Sequence, residues 1–140
     1  MQDMERAADN LKKAINLNES YALALVTMGR LLVEIEHPEK SMRYFRSAIR
    51  LDEKNTEAMI GLGQAYYDAY SPAEAIRYFQ QALDIGTGND SSEATLHFNI
   101  ANAYFLAEEF EQAIVHYRRA IELDSSKPET HYNLGNALCK

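Results

Sequence analysis

Four histidines, one cysteine and a glycine-bearing pentapeptide are the residues whose types suggest chemistry in this chain. Imidazole and thiolate can ligate a metal, or carry proton transfer and nucleophilic attack beside a suitable base. Those chemistries need side chains grouped at short spacing on one face. His37, His97, His116 and His131 are dispersed, and Cys139 has no companion at a ligand spacing. A single cysteine excludes an intrachain disulfide and a cysteine-based zinc site. No nucleophile, base and orienting group stand out as a set. Gly86-Thr87-Gly88-Asn89-Asp90 follows a helical stretch and lacks the lysine of a phosphate loop, so it reads as a lengthened connecting loop. Arg43, Arg46 and Arg50 lie three and four apart and read as a basic, solvated helix face. No catalytic residue, metal or cofactor is expected, and the chain is not expected to be an enzyme.

The bulk composition points the same way. A quarter of the 140 residues are charged and 46% are hydrophobic, a balance that suits a folded domain. The net charge of -7 disfavours general binding to nucleic acid or an anionic membrane, which needs a basic footprint. Residues 22–55 carry six basic and five acidic side chains, whereas 56–127 carry four and eleven. The N-terminal MQDMERAADN has no apolar core of a signal peptide, and no apolar run is long enough to span a membrane. A reducing, cytoplasmic location is the expectation.

The elements that must position these residues emerge when the sequence is aligned with itself. SMRYFRSAIRLDE (41–53), AEAIRYFQQALDI (73–85) and EQAIVHYRRAIEL (111–123) share a frame of small residue, aromatic and alanine. The frame is Ser41/Phe45/Ala48, Ala75/Phe79/Ala82 and Ala113/Tyr117/Ala120, and Ala7/Leu11/Ala14 fits it. Upstream elements Met28-Gly29-x-x-Leu32, Leu62-Gly63-x-x-Tyr66, Ile100-Ala101-x-x-Tyr104 and Leu134-Gly135-x-x-Leu138 share a second pattern. The chain therefore divides into repeats 22–55, 56–89 and 94–127, with an insertion at 90–93. A half-repeat precedes them at 1–21 and another follows at 128–140. Apolar places three and four apart make each half-repeat a helix. Pro38, Pro72 and Pro128 mark helix starts, with Ser71-Pro72-Ala73-Glu74 read as a capping box. The predicted fold is all-α, a solenoid of antiparallel helix pairs in which each hairpin buries its face only against its neighbours.

This pattern resembles the tetratricopeptide repeat, Trp-x2-Leu-Gly-x2-Tyr followed by Ala-x3-Phe and Pro over 34 residues. The resemblance covers essentially the whole chain and implies a right-handed superhelix with a concave groove. The Trp place holds Leu25, Met59, His97 and His131, the last two therefore expected between paired helices. The turn glycine is replaced by Glu36, Tyr70 and Glu108, each costing on the order of 1 kcal/mol if the left-handed conformation is kept.

The family usually holds ligands against the inner face of its first helices. Carried over, those places are Val26, Thr27, Arg30 and Val33, then Ile60, Gln64, Tyr67 and Asp68. The third repeat supplies Phe98, Asn99, Asn102, Phe105 and Leu106, and the last helix Tyr132, Asn133 and Asn136. Rings and amides together suit a peptide, because rings supply area and amides pair with its backbone. The lysines of the family's carboxylate clamps are missing, and only Arg30 is basic. Asn99/Asn102 and Asn133/Asn136 resemble the asparagine ladder of O-linked N-acetylglucosamine transferases. The expected function is a scaffold binding a protein or peptide segment in its groove. Alternatives are the substrate-recruiting arm of a larger enzyme, or a scaffold that self-assembles head to tail. In the last case Leu134 and Leu138 of one copy would meet Leu11 and Ile15 of the next, completing one repeat.

Overall fold

The computed structural model describes residues 1–17, 22–35 and 37–140, with the backbone alone for 15–17. Among the described residues there are eight helices and no strand. They are α1 (Gln2–Leu17), α2 (Ala22–Glu34), α3 (Pro38–Leu51), α4 (Thr56–Asp68), α5 (Pro72–Ile85), α6 (Asp90–Leu106), α7 (Phe110–Leu123) and α8 (Pro128–Leu138).

Local chemistry sets most of these ends. Pro38, Pro72 and Pro128 sit in the first turns of their helices, where a missing N–H costs nothing. Asn55 and Asn89 cap α4 and α6 by accepting from the amides of Ala58 and Ser92 at 3.0 and 2.8 Å. The expected capping box at Ser71 does not form, since its hydroxyl makes no capping hydrogen bond. The backbone there (φ −114°, ψ 74°) is shaped by the preceding tight turn, in which the Ser71 amide donates to the Tyr66 carbonyl at 2.9 Å. Glu109 donates likewise to Tyr104 and His37 to Leu32. Tyr70 and Glu108 have φ of 58° and 61°, so two of the three turns keep the left-handed residue without glycine. Glu36, the third, lies outside the described residues.

Residues 90–93, expected as an insertion, are helical rather than part of a longer loop. They form the first turn of α6, which has 17 residues where α2 and α4 have 13. Asn89 nucleates that turn, and Asp90 and Glu93 place negative charge at its amide end.

Helices α2–α3, α4–α5 and α6–α7 pair as hairpins, and α1 and α8 pack on α2 and α7. Rings enter notches left by small residues. Phe45 is fully buried, and a Cβ on Gly29 would lie 2.7 Å from its ring. A Cβ on Gly61, from the next hairpin, would strike the same ring. Gly63 makes room for Phe79 in the same way, and Ala101 lies in one cluster with Tyr117. Each buried ring is worth ~1.5–3 kcal/mol. Helices α2, α4, α6 and α8 also touch one another in succession, whereas α1, α3, α5 and α7 do not. The stack therefore curves with α2, α4, α6 and α8 on its inner side.

Helix α1 departs from the frame. Ala8 meets α2, with Leu11 half-buried beside Met28 and Leu32, while Ala7 and Ala14 are exposed. A helix with a neighbour on one side only turns its other face to solvent. The side chain of Ile15 lies outside the described residues.

Ala82 is fully buried among Met59, Ala75, Phe79 and Ile100. Ala82→Phe should destabilise the chain by ~1–3 kcal/mol or more through overpacking, lowering the melting temperature by several degrees. A wild-type melting curve for that variant would refute the repeat frame.

Candidate functional site

A half-open hollow of about 400 Å³ lies between α2 and α4 on the inner side of the stack. Arg30, Ile60 and Gln64 line it, together with Val33, Glu34 and Glu57. Glu57, Ile60, Gly61 and Gln64 recur at three- and four-residue spacing, so α4 presents them on one stripe. Gly61 and the Phe45 ring seated against it also line the hollow, whereas the equivalent places on α6 and α8 carry Asn99 and Asn133. The Gln64 amide donates to the Asp68 carboxylate at 2.9 Å. Glu34 and Glu57 were not anticipated, although Glu34 lies one turn beyond Arg30 and Glu57 one turn before Gly61. Val26 is a correction: it is buried in the core with Leu25, Ala58 and Leu62 because α4 covers that side of α2.

Further along, α6, α7 and α8 meet at a polar knot. The Tyr117 hydroxyl donates to Asn102 Oδ1 at 2.6 Å, and Asn133 Nδ2 donates to the same oxygen at 3.1 Å. Burial pushes the Tyr117 phenol up to about 12, the Tyr67 phenol adds to that, and the Asn133 amide opposes it. Tyr67 is itself raised by burial, then by Asp68 and Tyr70. The Phe98 ring lies 6.1 Å from that of Tyr117. Asn102 and Asn133, expected as rungs of a ladder, are thus joined to each other. Asn99 is half-buried, whereas Tyr132 and Asn136 are exposed, Tyr132 to 71%. Phe105 packs edge-on against Phe110 at 5.2 Å, with the Lys140 ammonium about 6 Å from both rings (6.0 and 5.9 Å). The expected residues therefore fall into a cavity group, Arg30/Ile60/Gln64, and a ring-and-amide group running from Tyr67 to Asn136.

Two histidines that look unrelated in sequence are neighbours. His97 Nδ1 and His116 Nδ1 are 2.9 Å apart, and Tyr104 stacks on His116 at 5.5 Å between ring centres. Burial lowers the His97 pKa, with Glu93 opposing and Arg119 assisting; burial and then His97 lower that of His116. Two neutral rings satisfy this geometry, one donating and one accepting. Among the described residues no three His, Cys, Asp or Glu side chains form a metal-sized group. The signal for the histidine pair was the Trp place of the repeat, which faces the second helix of its own hairpin. His131 occupies that place too but is exposed, its Nε2 lying 3.1 Å from the Ser125 carbonyl oxygen. It does not lie between paired helices, because α8 packs on α7 alone among second helices. No helix of the described residues is long and apolar enough to cross a membrane.

Stacked helical hairpins with an inner groove and small-residue notches define a helical-repeat solenoid. Family models described as "Tetratricopeptide repeat" and "TPR repeat" match residues 26–90 and 101–140. The chain belongs to the tetratricopeptide-repeat family. A crystal structure of MamA superposes with a TM-score of 0.88 at 20% identity, over 97% of this chain and 77% of that one. MamA from Desulfovibrio magneticus RS-1 gives 0.87 at 19% identity, over 96% and 73%. YrrB, described as a TPR protein with an unusual peptide-binding site, gives 0.81 at 25% identity, over 94% of this chain and 66% of that one. No curated protein sequence matches.

Asn102 carries a structural duty that its place on the inner face does not reveal. Asn102→Ala removes the acceptor of a hydroxyl on a ring only 1% exposed. It should cost ~1–3 kcal/mol of stability, read from the urea midpoint. Adding Tyr117→Phe should restore part of the loss, as a double-mutant cycle would show. An unchanged midpoint in Asn102→Ala would show that the knot does not contribute.

Proposed function

We propose that this chain is an interaction module holding a protein or peptide segment along the inner face of α2, α4, α6 and α8. The reading is supported by the hollow lined by Arg30, Ile60 and Gln64, with part-exposed Tyr67, Phe98 and Phe105 and exposed Tyr132 and Asn136 on the following first helices. The hollow has room for an apolar side chain, with Arg30 and the carboxylates of Glu34 and Glu57 at its rim. Half-exposed rings supply contact area at low entropic cost, and the amides can pair with a peptide backbone. Membership of a protein-binding repeat family and the likeness to YrrB support it.

A partner recovered by affinity capture on the intact chain provides the test. Tyr67→Ala and Tyr132→Ala should each weaken its binding about tenfold, the effect of losing a tyrosine hot spot. Tyr132→Ala should leave the melting temperature unchanged, since that ring is exposed. If both variants bind the partner normally, while charge reversal at Arg43 and Arg46 abolishes binding, the inner-face reading is wrong.

A second reading, head-to-tail self-association, rests on the two terminal helices. Leu138 is 55% exposed, and nothing lies within 4 Å of where a Cβ on Gly135 would be, although Gly29 and Gly63 at the same repeat place are filled by rings. Ala7 and Ala14 of α1 are exposed on the face that would meet it. Sedimentation at rising concentration should show weak assembly that Leu138→Glu removes. A strictly monomeric wild type would exclude it.

A further inference from the structure

The outer surface around α3 carries a feature that the inner groove does not use. A cleft of about 800 Å³ lies between α1 and α3 over α2, and one of about 480 Å³ lies between α3 and α5. Arg43, Ser47 and Arg50 line both, so α3 is a ridge between two connected hollows. Leu25, Met28 and Leu32 lie beneath the first; Ile49 and Leu62 lie beneath the second. The rims are basic. Lys12 and Lys40 join Arg43 and Arg50 at the first cleft, opposed there by Glu5. Among the described residues none of these four cations forms an ion pair. Arg50 donates to the Ser47 hydroxyl at 3.1 Å.

Beside the second cleft Arg46 donates to the Tyr66 hydroxyl and lies over its ring at 5.7 Å. Tyr66 stacks on Tyr78 at 5.7 Å and 5°, and the Arg77 guanidinium lies 4.9 Å over Tyr78. The rings hold the two guanidinium groups in place at the surface.

This charge is peculiar to one hairpin. The places of Lys40, Arg43, Arg46 and Arg50 are taken on α5 by Glu74, Arg77, Gln80 and Asp84. On α7 they are Gln112, Val115, Arg118 and Glu122. Packing of the repeat therefore does not demand cations there. We propose that this face is a second docking site, for an acidic polypeptide segment with apolar side chains between its carboxylates. The cations match the carboxylates, and the apolar floors take the intervening side chains. A long polyanion such as a nucleic acid suits the face less. It would run past the patch onto a molecule of net charge -7, and its phosphates would find no use for the apolar floors.

The test is selection of random displayed peptides on the immobilised intact chain, run in parallel on Arg43→Glu/Arg50→Glu and on Tyr132→Ala. Both arginines are exposed, and circular dichroism checks that the double variant is folded. Wild type and Tyr132→Ala should enrich acidic peptides with interspersed apolar residues. Those peptides should bind the charge-reversed chain at least about tenfold more weakly, and bind wild type less tightly as salt rises. Failure to enrich acidic peptides, or equal binding by the charge-reversed variant, overturns the proposal. So does tighter binding of a single-stranded oligonucleotide of equal charge. Self-association of wild type that the reversal abolishes would assign the face to a second copy instead. Loss of inner-groove binding in Tyr132→Ala, with acidic-peptide binding intact, keeps the two sites distinguishable.

Discussion

The Phe45 ring lies between Gly29 of its own hairpin and Gly61 of the next, and the spacing of the stack follows from contacts of this kind. A ring seated where a side chain is missing lets helix axes approach to about 8–9 Å while leaving no void. Phe79 at Gly63 and Tyr117 beside Ala101 repeat the arrangement with small changes of chemistry. The Phe45 ring touches two consecutive hairpins, so one contact closes a hairpin and sets the position of its neighbour. Removal of a notch would therefore be felt along the chain and not at one helix alone.

Curvature is the functional consequence of that packing. The first helices touch in succession and the second helices do not, so every hairpin offers one crowded face and one open one. The open face leaves clefts between α1, α3 and α5 whose rims take whatever charge the local sequence supplies. A repeat fold thus gives two surfaces of different chemistry without any change of architecture.

Divergence between repeats tunes these surfaces. At one inner place the residue is Gly61, Asn99 or Asn133: Gly61 admits the Phe45 ring, whereas Asn133 joins an amide knot near α8. At the ring place Phe45 and Phe79 are apolar, whereas Tyr117 brings a buried hydroxyl that needs a partner. Asn102 supplies it and Asn133 steadies the same oxygen. Residues 90–93 act similarly, making α6 a turn longer than α2 and α4 and bringing Glu93 beside His97 and Arg119.

The all-helical class, the helix count and the pairing of helices were legible in the amino-acid order alone, because helical period and small-residue spacing are local properties. That Ile60 and Gln64 share one face of α4 was legible for the same reason. What the order did not reveal are contacts across hairpins. His97 meets His116, Asn102 is held between Tyr117 and Asn133, and Val26 is covered by α4. The helical character of 90–93 also escaped, since glycines just before it suggested a loop while the capping side chain of Asn89 decided otherwise. These outcomes depend on crossing geometry and on which ring fills which notch. Periodicity says which face a residue occupies; only packing of one helix on another says whether that face is open, buried or already bonded.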